Sequence, residues 1–134
     1  MRLRYIVIFA VVFILAVGGF FLWRSTTSYA MQVVVTERGS DIGIAPFTDR
    51  IDFGDIPQGA NISKTITLTN QGDNDNSIKV YMMGSIGTFI DVMPGKSFTL
   101  AGGETQDIDL RITIPETAPV GKKYTGRIFI LRLP

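Results

Sequence analysis

The chain has 134 residues, 13 of them basic and 12 acidic, with no cysteine and no histidine. Without cysteine no disulfide can brace the fold. Without histidine the commonest general base and transition-metal ligand are missing, and so is every Ser-His or Cys-His arrangement. These absences argue against an enzyme and imply no cofactor. Arg2, Arg4 and Arg24 crowd the N-terminal end, so the remainder is slightly acidic and lacks the basic footprint of a nucleic-acid binder.

The first element is an unbroken apolar run from Tyr5 to Trp23. As a helix rising 1.5 Å per residue it spans about 28 Å, close to the hydrocarbon thickness of a bilayer. In lipid every backbone N–H and C=O must be satisfied internally, which predicts one continuous helix over residues 5–23. Arg2, Arg4 and the α-amino group precede the run and only Arg24 follows it, which predicts a cytoplasmic N-terminus and an exported C-terminal domain. Tyr5 and Trp23 stand where amphipathic rings prefer the headgroup level. The competing reading is a cleaved signal, because Ser28-Tyr29-Ala30 offers small residues at the −3 and −1 positions of a cut before Met31. The run is longer than a usual signal h-region, and Arg24 interrupts the path to that site, so the retained anchor is the favoured expectation. Gly18-Gly19 lacks the G-x-x-x-G spacing of a dimerising membrane helix.

Residues 24–30 (RSTTSYA) read as a short polar spacer between the helix and a domain over 31–134. Beyond the spacer the pattern changes to period-two alternation, the mark of half-buried strands. Gln32 to Thr36 reads as a first strand and Ile51 to Phe53 as a short second one. In Asn61 to Thr69, Ile62, Ile66 and Leu68 share one face and Ser63, Thr65, Thr67 and Thr69 the other, with Lys64 breaking the apolar face. Asn70 to Asn76 is a long turn of residues that tolerate hydrogen-bonded turn conformations. Ser77 to Met83 resumes alternation, with Ile78, Val80 and Met82 on one side. Thr88 to Val92 and Ser97 to Leu100 follow, separated by Met93-Pro94-Gly95. Gln106 to Ile114 is the clearest strand, directing Ile108, Leu110, Ile112 and Ile114 inward and Asp107, Asp109, Arg111 and Thr113 outward. Tyr124 to Leu133 is the last, and its consecutive Ile128, Phe129, Ile130 and Leu131 predict burial on both faces.

Seven or eight short strands at regular spacing, with no amphipathic helix outside the apolar run, predict an all-β antiparallel immunoglobulin-like sandwich behind one transmembrane helix. The Cys…Trp…Cys signature of antibody domains is absent.

Ile51-Asp-Phe-Gly-Asp-Ile-Pro-Gln-Gly59 followed by Lys64-Thr-Ile-Thr-Leu-Thr-Asn70 resembles the opening of bacterial and archaeal immunoglobulin-like envelope domains. Phe89-Ile-Asp-Val-Met-Pro94 before Phe98-Thr-Leu100, then Gly102-Gly103-Glu104, Ile114-Pro115, Ala118-Pro-Val-Gly121 and Tyr124-Thr-Gly126, is similar to the rest of that pattern. The resemblance covers Ile51 to Leu133. It implies the fold and a place in the envelope, but no activity, because such domains serve as spacers, adhesive modules and filament partners. The layout of a membrane helix before a small β domain also looks like that of archaellum stator-type accessory proteins.

The candidate sites are few. Asp73-Asn74-Asp75-Asn76 places oxygens at alternate positions, but counting from Asp73 puts Ile78 and Gly84 where a calcium loop needs glycine and glutamate, so a solvated turn is expected. Asp107 and Asp109 read as surface carboxylates. Asn61-Ile62-Ser63 is a glycosylation sequon in the exported part. Gly102-Gly103 is not a phosphate cradle, since no helix follows. Ile128, Phe129, Ile130 and Leu131 are expected in the core; the alternative is an apolar edge for strand addition, with Pro134 ending the ladder. Tyr81, Met83 and Phe47 are candidates for a contact patch. The sequence thus predicts a non-catalytic, membrane-anchored envelope protein that binds lipid through its helix and an envelope protein through its domain, with no nucleic-acid partner. The alternative is a secreted module released after Ala30.

Overall fold

The computed structural model describes residues 2–39, 42–43 and 50–134. Arg2–Arg24 forms one helix, α1, whose side chains from Leu3 to Arg24 are exposed. It is long and apolar enough to cross a membrane and has none of the segment from Leu3 to Arg24 buried against the rest of the chain. A soluble helix with this composition would need a protein surface to cover it; among the described residues nothing covers this one.

The described residues after α1 form eight strands in two sheets. The larger sheet joins β1 (Thr26–Thr36), β2 (Arg50–Pro57), β4 (Asn76–Gly84), β6 (Ser97–Leu100) and β8 (Lys123–Leu133), in the spatial order β2-β1-β8-β4-β6. The smaller has β7 (Thr105–Thr113) between β3 (Asn61–Thr69) and β5 (Ile90–Met93). A single 3-10 turn, Ser85–Phe89, leads into β5. All pairings are antiparallel except β1 with β2, which run parallel with a register shift between Gln32 and Val34.

The alternation read from the sequence is what makes two layers. Ile66, Leu68, Ile108, Leu110 and Ile112 of the small sheet join Val33, Ile51, Phe53, Val80, Ile128 and Ile130 of the large one in a single buried cluster. Each of these residues is separated from the next on its strand by one that faces away, because successive side chains take opposite faces. Burial of this apolar surface is the main stabilising term in a domain without disulfides.

The parallel β1–β2 pair departs from the antiparallel expectation, and β2 is longer than the expected Ile51–Phe53. Two further features depart from the sequence reading. The expected spacer over 24–30 is not a spacer: β1 begins at Thr26, and Thr26 to Ala30 pair with Leu131 to Arg127 of β8. The helix hands over to the strand through Ser25 alone, whose N–H donates to the Phe21 carbonyl (3.1 Å) while its carbonyl accepts from the Arg132 N–H (3.0 Å). Thr26 Oγ1 also donates to the Leu22 carbonyl (2.7 Å). The strand is hard to see here because only Thr27 and Tyr29 take the inner side ahead of Met31. The other departure is the start of β5 at Ile90, since Thr88 and Phe89 belong to the 3-10 turn.

The end of the domain next to α1 is built from the Asn70–Asn76 turn, the Ala101–Glu104 turn and the C-terminal end of β8. Asn70, 4% exposed, is its organiser. Its Nδ2 donates to the carbonyls of Asn74 (2.8 Å), Leu100 (3.0 Å) and Ala101 (3.1 Å). Its Oδ1 accepts from Gly72 N–H and Asn76 Nδ2, both at 3.1 Å. A buried amide that satisfies this many partners fixes both turns at once.

Candidate functional site

The outer faces of the two sheets follow from the register. On the large sheet, Tyr81 stands opposite Phe129, Lys79 opposite Leu131, Met83 opposite Arg127 and Ser77 opposite Leu133. On the other flank of β8, Phe129 faces Ser28, Leu131 faces Thr26 and Arg127 faces Ala30. Small side chains along β1 leave the β8 residues open on that side. The result is an apolar stripe down the middle of the sheet, with Tyr81 at 53% and Met83 at 65% exposure and Phe129 and Leu131 half-buried. Directly opposed residues on neighbouring strands have Cβ atoms about 5 Å apart, which makes Tyr81 and Phe129 neighbours on this face. Lys79 and Arg127 border it, and Arg127 reaches Ser28 Oγ at 3.4 Å.

The outer face of the small sheet is a different surface. Thr65 donates to Asp109 (2.5 Å), Thr67 donates to Asp107 (2.7 Å), and Thr69 and Thr105 share a bond at 3.0 Å. Asp91 lies opposite Arg111. These polar groups partner one another across β3 and β7, which leaves few directed bonds for a ligand.

Several sequence expectations are corrected or refined by this arrangement. Ile128, Phe129, Ile130 and Leu131 are not an edge for strand addition, because β8 is the central strand and both its sides are taken, by β1 and by β4. Nor is that run buried on both faces: Ile128 and Ile130 are fully buried, while Phe129 and Leu131 point to the uncovered side. Among the described residues the edge strands are β2, bridged at Asp55 by Gly43, and β6 in one sheet, and β3 and β5 in the other. β5 and β6 have four residues each, and β3 turns Lys64 toward the inner face, a device that discourages edge pairing.

Tyr81 and Met83 are exposed as expected for a contact patch, and they lie on the same face as Phe129. Phe47 lies outside the described residues. Asn61 is exposed at the start of β3, paired with Thr113, so the sequon sits on a strand rather than in a loop. Asp73 and Asp75 are exposed on the Asn70–Asn76 turn, and among the described residues no group of three or more His, Cys, Asp or Glu side chains is arranged to hold a metal. Of the helix flanks, Arg2 opens α1, Arg4 and Tyr5 stand in its first turns and Trp23 and Arg24 close it, with Phe20 and Trp23 in ring contact at 6.4 Å.

The apolar outer face was legible only in half. Alternation showed that Tyr81 and Met83 point away from Ile78 and Val80. That Phe129 and Leu131 share their face required knowing that β8 pairs with β4. No family model, curated protein or solved structure matches the chain.

Proposed function

We propose that this is a non-catalytic, single-pass membrane protein of the cell envelope. In this reading α1 crosses the membrane with its N-terminus in the cytoplasm, and the two-sheet domain, an immunoglobulin-like sandwich, stands outside. The domain presents the outer face of its large sheet to another envelope protein, as the accessory of a larger surface assembly. The observation that carries the reading is the aromatic and aliphatic stripe of Tyr81, Met83, Phe129 and Leu131, uncovered on a domain whose other outer face is polar and internally bonded. Contiguous apolar surface of this kind costs solubility unless a partner covers it. The basic border of Lys79 and Arg127 favours a partner with an apolar centre and carboxylates around it.

Retention of the helix has its own support. Cleavage after Ala30 would remove Thr26 to Ala30 and with them five ladder positions against β8. The inner partner of Ile128, Tyr29, would go as well, which leaves a core residue open on one side. A released module would therefore be a damaged one.

Site-specific photocrosslinking in cells that produce the full chain tests the surface. A crosslinker at Tyr81 should yield an adduct of defined mass, and one at Thr67 on the opposite face should not. Equal yields from both positions, or none from Tyr81, would sink the assignment. Topology is read separately, by labelling single cysteines in a chain that has none: Asp91→Cys should react with an impermeant thiol reagent in intact cells.

A further inference from the structure

We infer that the end of the domain next to α1 contains an oxyanion site for one phosphate group, suited to a phospholipid headgroup. A cavity of about 490 Å³ opens there between the two sheets. Arg132, Gln71, Gly72, Asn76 and Thr69 contribute to its wall around the Asn70 amide. On β8 the buried Ile128 and Ile130 alternate with outward residues, so Arg132 takes the inner side, where Ile78 is its cross-strand neighbour. Its Nε is buried and has no hydrogen-bond partner. Among the described residues no carboxylate pairs with its guanidinium.

An arginine in that position is costly unless something accepts from it. A buried donor left unmade loses its full hydration, and a guanidinium presents its donors as a planar fork that matches the oxygens of phosphate. Asn70 cannot serve, because its single acceptor oxygen already takes Gly72 N–H and Asn76 Nδ2. The Gln71 and Asn76 amides on the wall add neutral donors. Asp73 and Asp75 lie on the same turn and oppose a highly charged anion, so the site suits one phosphate rather than a polyphosphate.

Position supplies the source. The Arg132 N–H bonds to the carbonyl of Ser25, the residue that follows the last residue of α1. If α1 spans a bilayer, as proposed above, Arg132 lies at the level of Trp23 and Arg24, in the headgroup layer. The lipid assignment rests on that reading; the oxyanion assignment does not.

The test uses the full isotope-labelled chain in phosphate-free maltoside micelles, followed by nuclear magnetic resonance. In one arm inorganic phosphate is added, and in the other phosphatidylglycerol is mixed into the micelles. The Arg132 Nε–H signal and the Gln71 and Asn76 side-chain amides should shift and saturate. Response to the lipid alone identifies a headgroup site. Response to phosphate alone keeps the oxyanion site and separates it from the membrane reading. Arg132→Gln should weaken the amide response at least tenfold, and Arg132→Lys should weaken it less. Arg38→Gln, at the far end of the domain, should leave it intact, with backbone spectra reporting that each variant is folded. Absence of saturable shifts in both arms, or undiminished response in folded Arg132→Gln, overturns the proposal.

Discussion

The two outer faces of this domain are made from the same alternating pattern and have opposite characters. On the small sheet the outward positions of β3 and β7 are threonines and aspartates that bond to one another across the ladder. On the large sheet the outward positions of β4 and β8 are tyrosine, methionine, phenylalanine and leucine, bordered by lysine and arginine. Both sheets bury their inner faces in the same core, so the difference is not a demand of folding. A solvated strand face is served by threonine and aspartate; an aromatic one needs a further reason, which the proposed partner contact would supply. In the proposed function, the comparison assigns partner contact to one side of the molecule.

The change with the largest effect strikes the strand pair that carries the apolar face. Gly126 on β8 and Gly84 on β4 stand opposite each other, and a Cβ on Gly126 would lie 2.3 Å from the Met83 carbonyl oxygen and 2.6 Å from Ile86 Cγ2. Gly126→Val must push the strands apart or twist them, and is expected to destabilise by about 3 kcal/mol or more. Urea unfolding of the full chain in detergent, followed by circular dichroism, measures this; a loss under 1 kcal/mol would mean that the strands part easily. Next is Asn70→Ala, which releases three carbonyls and two donors held by one side chain. About 2–3 kcal/mol should be lost in the same assay, with faster amide exchange in both turns next to α1. This change alters neither outer face, so crosslinking from Tyr81 should persist wherever the protein stays folded.

Much of the inner surface was legible in the sequence, and little of the outer one. Ile108, Leu110, Ile112 and Ile114 announce a buried face by period alone, and all four are fully buried. Period two says which residues share a side of a strand, but not which strands are neighbours. Thr26 pairs with Leu131, a contact between the two ends of the domain that no local pattern encodes. For that reason residues 24–30 read as a spacer, β8 was a candidate edge, and Phe129 could not be placed beside Tyr81. The Arg132 cavity was invisible for the same reason: its wall comes from β3, β4, β6, β8 and the turn between the first two.

The apolar face itself is sharpened by Tyr81→Ser combined with Phe129→Ser. Both side chains sit on the solvent side, and the core beneath them keeps Val80, Ile128 and Ile130. Stability should fall by about 1 kcal/mol, the scale of one cross-strand aromatic pair. Copurification with the partner, or crosslinking from a probe at Met83 on the same face, should fall at least tenfold, equivalent to about 1.4 kcal/mol of binding. A double variant that assembles as before would place the contact elsewhere and remove the functional meaning of the comparison.

The smallest effect is expected on the polar face, and its smallness is informative. Thr67→Val removes the hydroxyl that donates to Asp107 at 2.7 Å. The abandoned carboxylate is exposed and recovers its hydration, while valine keeps the branched shape that a strand favours. Exposed cross-strand pairs contribute about 0.2–1 kcal/mol, so the change in unfolding free energy should be about 0.5 kcal/mol, with partner crosslinking from Tyr81 unchanged. The aromatic double variant and Thr67→Val thus each cost the fold about 1 kcal/mol or less, and only the one on the large sheet should cost an interaction. Should Thr67→Val reduce crosslinking as much as the aromatic double variant does, the loss would reflect general loosening of the domain, and the two faces would no longer be distinct in function. Equal stability with unequal crosslinking is the outcome that separates surface chemistry from folding.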